Sequence, residues 1–140
     1  MKALNVSFLN TIIDKYSDRE CIIHITDTSS KIIASSDKER TGSISSTALY
    51  INDVQRATSI ANPDAVKDSY SSIYGAPLIV NGETYGTVIV HGSAEVSASV
   101  GEMIRNSIET IIAYDNHRSS DEGQKDMLSD LGIKLLNGSM

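Results

Sequence analysis

Apolar residues recur at intervals of three and four from Leu4 through Phe8, Leu9, Ile12 and Ile13 to Tyr16, which predicts an amphipathic helix over residues 3–17. Asp18 and Arg19 are read as its end. The period then changes. Cys21 to Thr26 is nearly continuous in β-branched residues, as in a strand covered on both sides or set in the centre of a sheet. The short polar side chains of Asp27, Thr28, Ser29 and Ser30 bond their own backbone readily and read as a turn, with a second strand from Lys31 to Ser35. Helical spacing returns over residues 44–54 in Ile44, Ala48, Leu49, Ile51 and Val54, with Ser43, Ser45 or Ser46 as candidate caps. Residues 55–68 are weakly patterned: Asn62-Pro63-Asp64 signals a turn, and Val66 is read as the start of a short strand or an irregular lid.

From Tyr70 to Val80 the chain reads as extended, and Asn81-Gly82 is the strongest hairpin signal in it, because both central residues of a type I′ turn need positive φ. A strand from Thr84 to His91 follows, ended by Gly92. Beyond Ala94 the apolar positions Val96, Val100, Met103, Ile104, Ile108, Ile111 and Ile112 predict a long helix, in which Gly101 costs about 1 kcal/mol against alanine and marks close packing or a ragged start. The polar run His117 to Gly123 is read as a break, followed by a short amphipathic piece from Met127 to Leu135. Two hairpins separated by helical material, with helices at both ends, predict an α+β fold with one antiparallel sheet. Residues 1–118 are expected to form one domain, and residues 119–140 a linker and the start of a further helix, as in a fragment of a longer protein.

Composition narrows the class. At 140 residues, with 40% hydrophobic and 21% charged, the chain is long enough to bury a core. A net charge of −6 repels phosphate backbones, so nucleic-acid contact by this chain itself is not expected. No apolar run approaches bilayer-spanning length, and Cys21, the one cysteine, fits a reducing compartment, so the expectation is a soluble cytoplasmic domain.

The candidate chemistry favours binding over catalysis. The serines between Ser29 and Ser46 form no nucleophile elbow, and phosphate loop, Rossmann and calcium-loop patterns are missing from the sequence. His24 and His91 can meet across the sheet, but strand histidines are more often satisfied core or surface residues, and a metal site needs a third ligand. Neither catalytic residues, a metal nor a cofactor is assigned. Arg40 follows a strand end and precedes Gly42, where a guanidinium can pair a carboxylate. Ser35 and Ser36 add hydroxyls, and the first amides of the following helix are natural anion donors. The plainer reading of Arg40 is a solvated loop residue beside Asp37 and Glu39. Gly75, Ala76, Pro77 and Gly86 are small residues near strand ends that admit a ligand to the backbone or simply serve turns and bulges.

The segment Ile25 to Ser43 resembles the opening of the sugar diacid recognition domain, the N-terminal sensor of carbohydrate diacid regulators, whose pattern there is approximately D-x-x-G-x-I-I-A-S-x-D-x-x-R-I-G. Ala76 to Gly92 is similar to a second stretch, P-I-x-x-x-G-E-x-x-G-V-I-G-I-x-G, and the resemblance covers residues 4 to 118. It implies a PAS-like or Cache-like antiparallel sheet flanked by N- and C-terminal helices, with a small-molecule pocket on one face. It implies that residues 1–118 are the ligand-sensing domain of a cytoplasmic transcription regulator that touches DNA only through a C-terminal effector domain absent from this chain. The apolar faces of the first and last helices are read as a homodimer interface. The ligands implied are glucarate, galactarate or the hydroxy acid glycerate. The polar motif falls on Ser35, Ser36, Asp37, Arg40, Gly42 and Ser43, and the second hairpin matches at Gly75, Pro77, Leu78, Gly86 and Gly92. The ligand site is therefore placed at Ser35, Ser36, Arg40, Gly42 and Ser43, closed by main-chain groups of Gly75, Ala76, Pro77 and Leu78. Ser45 stands where the family often has a histidine, which leaves Arg40 as the one anion anchor. The rival reading is a ligand-free PAS-like dimerisation module.

Overall fold

The structure is a computed structural model that describes residues 4–16, 20–61 and 70–128, with side chains as far as residue 117. Helix α1 (Val6–Tyr16) leads to strands β1 (Ile22–Thr26) and β2 (Ile32–Ser35), a 3-10 turn (Lys38–Arg40) and helix α2 (Ser46–Val54). Strands β3 (Thr58–Ala61), β4 (Ser72–Val80) and β5 (Glu83–Gly92) follow, and helix α3 (Ala94–Leu128) comes last. The five strands form one antiparallel sheet in the order β2-β1-β5-β4-β3, so the fold is α+β, as the element pattern predicts. The chain divides into two compact units, residues 1–109 and 110–140. The expected boundary at residue 118 falls inside α3.

Two sequence expectations are corrected, and one choice among candidates is resolved. Helix α3 continues through residues 117–123, where the polar run predicts a break. Ser, Asp, Glu and His cost only fractions of a kcal/mol in a helix and Gly123 about 1 kcal/mol, which is too little to stop it. Residues 58–61, within the stretch read as weakly patterned, form β3, an edge strand whose pairing is supplied by β4. Ser45, one of three candidates, is the cap of α2: its Oγ accepts the Ala48 N–H at 3.1 Å. The helix stop at Asp18 and Arg19, the Asn62-Pro63-Asp64 turn, the segment at Val66 and the piece beyond Leu128 lie outside the described residues.

Alternation assigns each strand residue to a face. One face carries His24, Gly75, Ile89, Ile73 and His91 toward α2, where Ala48 packs on Ile73 and Ile89 with Ile60 beside them. A Cβ at Gly75 would lie 2.7 Å from Ile51 Cγ1, so the glycine is what lets α2 sit this close to β4. The other face carries Tyr74 against α3, where a Cβ at Gly101 would lie 2.1 Å from the Tyr74 ring. The Tyr74 hydroxyl donates to Glu102, Arg105 bridges Glu102 and Glu109 at 3.3 Å each, and Glu109 accepts the Ile79 N–H at 2.8 Å. That last bond caps a stretch of β4 that the short β3 leaves unpaired, where Pro77 has no N–H to satisfy. The Asn81-Gly82 turn has positive φ at both residues, 53° and 80°, as its sequence predicts.

Candidate ligand-binding site

A register shift in the β1–β2 hairpin builds one wall of a cleft. Thr26 pairs with Ile32, but Ile25 pairs with Ala34 and His24 with Ser35, so one extra residue sits on β2. Ile32 and Ser35 are three positions apart and would face opposite sides of a regular strand. The bulge brings both to the α2 face. After Ser35 the chain makes the 3-10 turn, capped by Asp37, and Gly42 at φ +98 turns it back along β2. The Gly42 N–H donates to the Ile32 carbonyl and the Ile32 N–H to the Ser43 carbonyl, each at 2.8 Å. The Ser45 N–H donates to the Ser30 carbonyl at 2.9 Å, which docks the start of α2 beside the hairpin. Asn52 then ties α2 down: its amide donates to Ser30 Oγ at 2.8 Å and accepts from Thr87 Oγ1 at 3.1 Å.

Between α2, the 3-10 turn and the sheet lies a cleft of about 310 Å³. This volume falls at the lower end of the range for small-molecule sites. Its polar lining is His24, Arg40, Ser45, Ser46, Thr47, Tyr50 and His91, and its apolar lining is Ile32, Ile44, Ile60 and Ile73. Arg40 is exposed and makes no ion pair among the described residues. It therefore presents a permanent cation to the cleft, and the first turn of α2 adds outward N–H groups and a positive helix end. On the floor His24 and His91 meet edge to face, with ring centroids 5.5 Å apart. His24 is 5% exposed and its Nδ1 lies 2.8 Å from Ser35 Oγ, which also accepts the Asp37 N–H at 2.9 Å. Burial, then the neighbouring His91 and Arg40, push the His24 pKa down to about 4 despite the opposing charge of Asp37. The imidazole is neutral at pH 7.

The expected site residues divide. Arg40 lines the cleft. Gly42 and Ser43 form the tight turn beside it, where the Ser43 hydroxyl donates to the Arg40 carbonyl. Ser35 lies behind His24 and positions its ring, while Ser36 Oγ accepts the Ile23 N–H at 2.9 Å. Gly75, Ala76, Pro77 and Leu78 are buried in β4, paired with β5, and are not part of the cleft lining. Sequence reasoning did not assign Ser45, Ser46, Thr47 and Tyr50. The helix-start signal directly after Arg40 is the clue that points to them. His24 and His91 are 67 positions apart in the chain, and only the β1–β5 register unites them. Among the described residues no group of three or more His, Cys, Asp or Glu is placed to hold a metal ion. No helix of the described residues is long and apolar enough to cross a membrane.

The profile of the sugar diacid recognition family matches residues 4–135, and the chain belongs to that family. Comparison with curated proteins returned no match. Among solved structures, the chain is similar to the GAF domain of a phosphoenolpyruvate-protein phosphotransferase from Coxiella burnetii, with a TM-score of 0.54 and 13% identity over 84% of this chain and 88% of that one. The cofactor-binding GAF domain of the nutrient sensor CodY from Clostridium difficile gives a TM-score of 0.52 and 8% identity over 80% of this chain and 86% of that one. The E. coli DhaR(N)–DhaL complex gives 0.51 and 14% identity over 85% of this chain, which spans only 53% of the chain matched there. At such identities the agreement is one of fold: a GAF/PAS-like antiparallel sheet flanked by helices.

Proposed function

We propose that this member of the sugar diacid recognition family is the sensor domain of a cytoplasmic, homodimeric transcription regulator that binds a small hydroxylated carboxylic acid in the cleft under α2. Glucarate, galactarate and glycerate are the ligands in view. Arg40 pairs a carboxylate, and the N–H groups of Ser46 and Thr47 with the hydroxyls of Ser45, Ser46 and Thr47 share its charge. The observation that carries the reading is an arginine without an ion pair among the described residues, facing a helix N-terminus and two imidazoles across a cleft of about 310 Å³. Family membership and sensor-like neighbours support binding over turnover. Ile73 faces the cleft and its neighbour Tyr74 holds α3, so β4 supplies a short path from ligand to helix. A DNA-binding effector domain would lie C-terminal to α3. The ligand alters the output only by binding one helix arrangement better than another.

Calorimetric titration with glucarate, galactarate, glycerate and plain dicarboxylates tests the reading. At least one acid is expected to bind saturably, and Arg40→Ala is expected to weaken it by a factor of about 10 or more. Unchanged affinity in that variant removes Arg40 from the site. Failure of every acid, in a chain that sediments as a dimer, favours the ligand-free dimerisation module instead.

A further inference from the structure

We infer that the His24–His91 pair is the second half of a diacid site: Arg40 and the first turn of α2 take one carboxylate, and the paired imidazoles take the other together with a proton drawn from solution. This rests on the acid-sensor reading above and extends it.

Charge balance is the starting point. Arg40 is the one permanent cation among the cleft-lining residues, whereas a diacid carries two negative charges. The walls around it include four isoleucines, so a second carboxylate loses water there and needs a positive partner. Of the remaining lining groups, only His24 and His91 can gain a positive charge; Tyr50 can only lose a proton. Toward His24 the charged or titratable groups besides His91 are Asp37 and Arg40 from the turn after β2, and Tyr50 lines the same cleft from α2. Strand β2 contributes the neutral Ser35, and β3 and β4 contribute Ile60 and Ile73.

The hydrogen bonding fits this role. Ser35 Oγ holds His24 Nδ1 at 2.8 Å and is itself held by the Asp37 N–H, so the ring is fixed with Nε2 as its remaining polar atom. A protonated His24 donates Nδ1–H to Ser35 and Nε2–H to a carboxylate, leaving both donors satisfied. The edge-to-face contact at 5.5 Å makes two full charges on the pair unfavourable, so the pair takes up about one proton in total. Without ligand, burial, His91 and Arg40 keep His24 neutral down to about pH 4. An incoming carboxylate reverses that balance, because an opposite charge in contact favours the protonated ring. Binding a dianion is thereby coupled to proton uptake.

Glucarate and gluconate have the same carbon chain, but gluconate ends in a hydroxymethyl group where glucarate has its second carboxylate. Titration calorimetry of each acid in two buffers of different ionisation enthalpy, at pH 6 and pH 8, measures the proton uptake directly. Glucarate is expected to take up more than gluconate at pH 6, by about half a proton or more, and to bind more tightly there than at pH 8. His24→Gln is expected to remove that excess, because the ring held by Ser35 is the one that takes the proton. Glucarate binding without proton uptake overturns the inference and leaves the acid-sensor reading standing, as does an excess that survives in folded His24→Gln. No saturable heat with either acid overturns the inference, and failure of galactarate, glycerate and the plain dicarboxylates as well overturns both. If the variant does not fold or gluconate is too weak to titrate, glucarate with the unmodified chain decides alone.

Discussion

Ile73 and Tyr74 are neighbours on β4, and they serve two surfaces built differently. Toward α2, Ile73 faces a half-polar cleft bordered by an exposed arginine, a buried histidine and a helix N-terminus. Toward α3, Tyr74 lies against Gly101 and donates to Glu102, on a face that carries the fully buried Ile23, Ile25, Val88 and Val90. One face leaves charge uncompensated and space unfilled; the other is closed and hydrogen-bonded. Both are anchored by a glycine, Gly75 under α2 and Gly101 within α3, so the difference lies in what surrounds each contact. Cleft residues remain available to a ligand because the packing that stabilises the domain is concentrated on the opposite side. Shared strands then link the two.

The largest test of this contrast is acid. The pKa of His24 is about 4 in the native state against 6.5 in the unfolded chain, so above pH 6.5 both states are neutral and nothing is lost. As pH falls from 6.5 to 4 the unfolded chain takes the proton and the native state does not, which costs about 1.4 kcal/mol per pH unit and about 3 kcal/mol in all. Urea unfolding at pH 7 and pH 4.5 should show that part of the acid loss missing in His24→Gln. Equal losses in both proteins would mean that the cleft histidine is not held neutral.

Next in size is Gly101→Ala. Helix propensity favours alanine by about 1 kcal/mol, but the new methyl meets ring carbons of buried Tyr74 at 2.1 Å. Overpacking wins, and a net loss of about 2 kcal/mol is expected in the urea midpoint. A neutral result would show the α3 face to be as yielding as the cleft.

Smallest is Gly75→Ala, whose methyl meets the side-chain atoms of Ile51 at 2.7 Å and 3.0 Å. The isoleucine has some freedom to move with α2, so a stability loss of about 1 kcal/mol is expected, with a larger proportional effect on acid affinity as the cleft wall shifts. A stability loss matching that of Gly101→Ala would erase the distinction between the faces.

The family and the α+β class were legible in the chain because their signals are local: Asn81-Gly82, the β-branched run at Ile22, and helical spacing after Ala94 need only neighbouring residues. Arg40 was legible for the same reason, since a cation between a strand end and a turn glycine is a pattern of a few positions. Strand β3 was not, because Thr58-Ser59-Ile60-Ala61 is short and becomes a strand through β4. The sequence by itself determined most of the elements, the two hairpins and the place of Arg40 between a strand end and a turn glycine. Only the tertiary structure decided that β4 sends Gly75 to Leu78 into buried pairing, that the Ser35 and Ser36 hydroxyls serve the protein's own bonds, and that His24 meets His91. The reason is physical: side-chain direction along a strand depends on register, and register is set by bulges and partners distant in the chain.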